Sequence, residues 1–237
     1  MPEASSFSTS SLLNRRSFLV RTGTVAAASL LLSACDDDGG TPPSTPTIAL
    51  GGGDEGVLNY FLLLVRFTGE FYAKVVASPP SDLPAAELAV FRDMSRHSII
   101  YRELLLLAFG DSSLTPNASV RDVAFDYSSL TLTTRAGALA AAQTIDDLTT
   151  AAYCGMARLW TSPALLRLQM KVTAVKARHA ATIRDLRTPG SFAAADVVPT
   201  AGTSAGLNQV LTPADALTEL GKYTSPVILS TGALPTS

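Results

Sequence analysis

Apolar residues recur along this chain at alternating spacings of three and four, the signature of helices with one buried face. From Asp54 onward a first stripe carries Leu58, Phe61, Leu62, Val65, Gly69, Tyr72 and Val76. A second, from Asp82 to Phe109, carries Phe91, Met94, Ser98, Tyr101, Leu105 and Ala108. A stretch with Gly, Pro and Asn from Gly110 to Thr133 breaks the period. A third stripe then runs through Leu139, Ala142, Asp146, Thr149, Tyr153, Met156 and Trp160. The fourth opens at Ser162-Pro163, a hydroxyl cap followed by proline in the first turn, and runs through Leu165, Leu168, Val172, Val175, His179, Thr182 and Leu186. Each helix spans about 24 residues, or roughly 36 Å.

Four amphipathic helices of matched length with one long central connection predict an all-α four-helix bundle over residues 54–187. The long connection acts as a crossover that lets helices two and three run parallel. Strand signals are weak throughout. Residues 188–237 are rich in Gly, Thr and Pro and regain a single short helix at 212–222, opened by Thr212-Pro213-Ala214-Asp215.

The N-terminal pattern is different. Asn14-Arg15-Arg16-Ser17-Phe18-Leu19 precedes an apolar run from Val25 to Leu32, which ends at Leu32-Ser33-Ala34-Cys35. A basic region, a short apolar core and small residues before a cleavage point compose a secretory signal. The run is shorter than the roughly 20 apolar residues a bilayer span requires. Arg15-Arg16 with Phe-Leu resembles a twin-arginine signal, and Leu-Ser-Ala-Cys resembles a bacterial lipobox. Residues 1–34 are therefore expected to be a removed signal peptide, and Cys35 the site of a diacylglycerol that holds the chain on the cell envelope. Residues 35–53 begin Asp36-Asp37-Asp38-Gly39-Gly40 and continue with Pro, Ser and Thr, the composition of a flexible tether. The acidic triplet resembles a lipoprotein sorting signal; a solvated spacer is the other reading.

Charge narrows the partners. Of 18 basic and 20 acidic side chains, Arg15, Arg16, Arg21 and Glu3 lie in residues 1–34, so the remainder is mildly acidic and has no basic block suited to nucleic acid. With Cys35 acylated, Cys154 is the one remaining thiol, which leaves no internal disulfide. Without a second cysteine or an evident base, Cys154 reads as a small buried side chain rather than a redox centre. No serine–histidine–acid motif, phosphate-binding glycine loop or zinc-ligand spacing occurs.

Polar residues interrupt the inward stripes: Ser98, Tyr101, Asp146, Thr149 and His179, with Lys176 on the same face as His179. Buried polar groups need partners, so this concentration suggests a site or the remnant of one. At this point Leu58-Asn59-Tyr60, Gly69-Glu70-Phe71-Tyr72, Ile145-Asp146-Asp147, Ala151-Ala152-Tyr153-Cys154-Gly155 and Ala177-Arg178-His179-Ala180 resemble the bacterial exported ferritin-like domain proteins. The resemblance implies a site with a carboxylate from each of two helices and a Glu-x-x-His pair from each of the other two, around iron or manganese.

Placed on this sequence, the first helix offers Val65 and Thr68 where glutamates are implied. The second offers Ser98-Ile99-Ile100-Tyr101 for one Glu-x-x-His, the third keeps Asp146, and the fourth has Lys176-Ala177-Arg178-His179. Glu70, His97 and Glu103 fall off the inward stripe and are expected on flanks. The residual core polar site is therefore Tyr101, Asp146, Lys176 and His179, with Lys176 expected to pair with Asp146, or else to reach outward along the surface. The function this implies is a structural or binding lipoprotein, without catalytic residues or cofactor, with the membrane and a related ferritin-like protein as partners. The alternative is iron or manganese held weakly on Asp146 and His179, with ferroxidase-like oxidation. A small apolar ligand in the bundle is a further possibility that nothing in the sequence requires.

Overall fold

A computed structural model describes residues 45–235. In chain order it contains β1 (Thr47–Ala49), α1 (Gly53–Ala77), α2 (Ala85–Asp111), the short α3 (Ala118–Asp122), α4 (Arg135–Met156), α5 (Pro163–Arg187), α6 (Pro213–Gly221) and β2 (Ile228–Ser230). The expected signal peptide, with Arg15 and Arg16, and the expected lipidation site Cys35 lie outside the described residues.

The four long helices form the bundle. α1 packs along α2 and α4 along α5, and α1 also meets α4 across the core. Contacts at the helix ends give the directions. Asp54, in the first turn of α1, accepts from the backbone N–H groups of Thr161 and Ser162 at the start of α5 (2.8 and 2.9 Å). Arg135, at the start of α4, donates twice to Glu87 in the first turn of α2 and once to the Leu186 carbonyl at the end of α5. So α1 runs with α5 and α2 with α4, and residues 112–134 cross the length of the bundle between them.

α1 is the most enclosed element. Every residue from Gly56 to Val65 is buried, which explains why its sequence is apolar nearly all round. The crossover covers it. Arg66 donates to the Val120 and Val123 carbonyls (2.6 and 2.8 Å), and the Tyr127 hydroxyl donates to the Phe67 carbonyl (2.6 Å). Phe67, Phe125, Tyr127 and Tyr223 form one aromatic cluster there, which joins α1, the crossover and the end of α6.

Three features depart from the sequence reading. The third long helix ends at Met156 and passes through a 3₁₀ turn, Ala157–Leu159, before Trp160. The central connection holds α3, started by the Asn117 side chain, which accepts from the Ser119 and Val120 N–H groups. And the described part of the expected tether is built into the fold. β1 pairs in parallel with β2, Leu50 is fully buried, and Asn59 donates to the Leu50 carbonyl (3.1 Å). The tail returns over α4, where the Leu211 N–H donates to the Ala151 carbonyl (3.0 Å). A Cβ on Gly155 would lie 1.9 Å from the Leu211 carbonyl oxygen, so this close approach requires glycine. Arg184 clamps the tail by pairing with Asp147 on α4 and with Asp196 (both 2.7 Å).

Candidate functional site

The middle of the bundle is lined from four helices: Val65, Thr68 and Tyr72 from α1, Met94, His97 and Ser98 from α2, Asp146 and Thr149 from α4, and Lys176 and His179 from α5. Three of the polar residues satisfy themselves. Thr68, Ser98 and Thr149 donate to the carbonyls of Leu64, Met94 and Ile145, each one turn back on its own helix (3.0, 3.0 and 2.9 Å). They ask nothing of the centre.

Asp146 and Lys176 are the charged pair of the centre, each with a side chain only 1% exposed. Lys176 Nζ stands 3.9 Å from Asp146 Oδ1, close enough for strong attraction at low dielectric but too far for a direct hydrogen bond. The other carboxylate oxygen, Oδ2, accepts from the Tyr72 hydroxyl at 2.5 Å. Among the described residues, neither Asp146 Oδ1 nor Lys176 Nζ has a hydrogen-bond partner, and the same holds for the nearby Tyr60 and Tyr153 hydroxyls. Burial pushes the Asp146 carboxyl up to about 6, against the opposing pull of Lys176 and Tyr72. Burial also lowers Lys176, and Asp146 opposes that shift.

Lys176 faces inward because α5 is rotated from the stripe read off the sequence. Its buried face runs through Leu165, Gln169, Val172, Thr173, Lys176, His179, Ala180 and Ile183, whereas Thr182 is exposed. Lys176 is thus enclosed rather than reaching outward.

His179 has a neighbour that stripe reading missed. His97 Nδ1 lies 3.1 Å from His179 Nε2, and the two rings stack with centroids 5.2 Å apart. His97 was expected on a flank; the structure places it between α2 and α5. Tyr101, expected in the residual core polar site with Asp146 and Lys176, is only half-buried and stacks beside His97 instead. On α2, Met94 and His97 are spaced like Lys176 and His179 on α5; Ser98 is buried as well, whereas Tyr101 is half-buried. Burial, Lys176 and His97 push the His179 imidazole down to about 3, so it is neutral at physiological pH.

The model of the ferritin-like domain family matches residues 53–189, from the start of α1 to just beyond α5. This chain belongs to that family. No match was found among the curated proteins. The family relation makes the i, i+3 pairs meaningful, because a ferritin-like centre draws a Glu-x-x-His from each of two helices. In this ferritin-like bundle His97 and His179 face each other, and the residues three positions before them are Met94 and Lys176.

Such a centre implies two metal ions, and the donor set here does not fit them. Among the described residues Asp146 is the one fully buried carboxylate, and one of its oxygens is taken by Tyr72. The other candidate carboxylates are engaged elsewhere: Glu70 with Arg66, Glu87 with Arg135, Glu103 with Arg102 and Asp147 with Arg184. Among the described residues, no three His, Cys, Asp or Glu side chains gather as a metal-holding group. Two divalent ions require several anionic oxygens, whereas here Lys176 brings an ammonium into the middle. Cys154 lies apart, half-buried, with its thiol shifted up by burial and Asn208 Nδ2 3.7 Å away.

Proposed function

We propose that this chain is a structural or binding protein of the bacterial cell envelope, built on a ferritin-like bundle whose two-metal centre has been replaced by an internal lysine–aspartate pair. The observation that carries the reading is the position of Lys176 Nζ, 1% exposed and 3.9 Å from Asp146 Oδ1 in the middle of the bundle. One ammonium stands in for the positive charge of the ions, and Tyr72 takes the place of a second ligand on the carboxylate. Residual iron or manganese chemistry on Asp146 and His179 finds little support. His179 Nε2 is directed at His97, Asp146 Oδ2 at Tyr72, and Lys176 repels a cation.

Export and anchoring belong to the same proposal. Arg15-Arg16 and the Leu-Ser-Ala-Cys motif at Cys35 support a folded-state export route and a lipid anchor. Cys35→Ala is expected to move the chain from the membrane pellet to the soluble fraction. Retention in the pellet would refute the anchor.

The pair itself is tested by a double-mutant cycle. Lys176→Met and Asp146→Asn should each destabilise the fold by about 3–5 kcal/mol, because each leaves a buried polar group uncompensated. The double variant should lose less than the sum of the two by at least ~1 kcal/mol. Additive losses would mean that the two side chains do not compensate each other.

A further inference from the structure

α2 has two faces of different character. One is buried through Phe91, Met94, Ser98 and Leu105. The face turned away from the bundle is also apolar in its middle: Ile100, Leu104 and Leu107 are 59%, 36% and 65% exposed. At helical spacing these residues form one line, and the same line continues to Arg96 at one end and Asp111 at the other, both exposed. The order along the face is thus cation, three large aliphatic residues, anion.

We propose that this stripe is a self-association surface, and that α2 pairs antiparallel with α2 of a second copy of the chain. The pattern is self-complementary about a two-fold axis passing between Glu103 and Leu104. That axis sets Ile100 against the partner's Leu107, brings the two Leu104 side chains together at the centre, and places Arg96 opposite the partner's Asp111. The Ile100–Leu107 and Arg96–Asp111 contacts each occur twice, as a closed two-fold interface requires. Parallel pairing of the same stripe would set Arg96 near Arg96 and Asp111 near Asp111, so the charges select the antiparallel arrangement. Re-pairing costs little, because the present partner of Arg96 is Asp93 at 3.3 Å on an open surface, where an ion pair contributes little.

The line from Arg96 to Asp111 is about 22 Å long. A single helix pair of that length lies at the small end of specific interfaces, so the dimer is weak in dilute solution. Confinement on a membrane surface would raise its effective concentration. This surface is on the opposite side of α2 from Met94 and Ser98, and the inference does not rest on the reading of the buried pair.

The test is sedimentation equilibrium of the full chain carrying Cys35→Ala, from micromolar to millimolar concentration. The expected result is a reversible monomer–dimer equilibrium that Leu107→Glu or Ile100→Lys weakens by about tenfold or more. Arg96→Asp should weaken it too, and Arg96→Asp combined with Asp111→Arg should restore it, because the reversed pair is again complementary. All four positions are solvent-exposed, and an unchanged Tm for each variant confirms that folding is intact. A chain that stays monomeric at every concentration overturns the proposal. So does a dimer whose dissociation constant ignores Leu107→Glu and Ile100→Lys, or a paired charge reversal that fails to restore association.

Discussion

Lys176 and Asp146 are held where burial penalises the charge of both. Water cannot reach either side chain, and the only strong compensation each has is the other, with Tyr72 added on the carboxylate side. Losing one partner therefore costs more than the pair contributes as a whole. His179 adds a titration of opposite sign. Its pKa is pushed to about 3, below the 6.5 of an unfolded imidazole, so it contributes stability at neutral pH that is lost as pH falls below about 6.5. Asp146 is raised from 3.8 to about 6, so the fold holds its proton more tightly than the unfolded chain does. That contribution is present in acid and is lost as pH rises through about 6. Between neutral pH and about pH 5 the two effects oppose each other. Relative to the unmodified chain, His179→Gln should gain stability on acidification over this interval, whereas Asp146→Asn should lose it. Urea unfolding at the two pH values checks this, and parallel slopes for the two variants would contradict it.

At the scale of elements, the long helices are legible because their apolar stripes are long and regular. Capping residues also mark several starts, with Ser162-Pro163 opening α5 and Thr212-Pro213 opening α6 as read. What periodicity locates is the centre of a stripe, not its edges. A bundle helix touches two neighbours, so residues at a stripe's edge can also be inside. His97 is such an edge residue: Ser98 beside it lies against Gly69 of α1, while His97 turns to α5. The same limit hid the rotation of α5 that leaves Thr182 exposed, whereas Lys176 lies inward beside Asp146 as the first of its two readings had it. Tyr72 was visible as a stripe member, but its role depends on a hydrogen bond to a residue 74 positions away, which only folding brings close. α3 is five residues long and β1 and β2 are three each, too short for any periodic signal. The pairing of β1 with β2 joins opposite ends of the described chain.

At the largest scale, the described residues form a ferritin-like bundle wrapped by the segments that flank it. The family match ends at residue 189, yet the tail beyond it supplies structure the bundle uses: Leu211 against Gly155, Asp196 on Arg184, and β2 beside β1. The four-helix architecture could be read directly from the residues, whereas the facing histidines and this wrapping could not. On the proposed reading, charge is what separates this bundle from a metal-bearing one, since among the described residues its middle holds two imidazoles, one carboxylate and an ammonium. The most direct measurement is the metal content of the purified full chain, expressed with iron and manganese in excess and washed free of loosely held ions. A content far below one ion per chain agrees with a lysine–aspartate centre. Two tightly held ions per chain would contradict it.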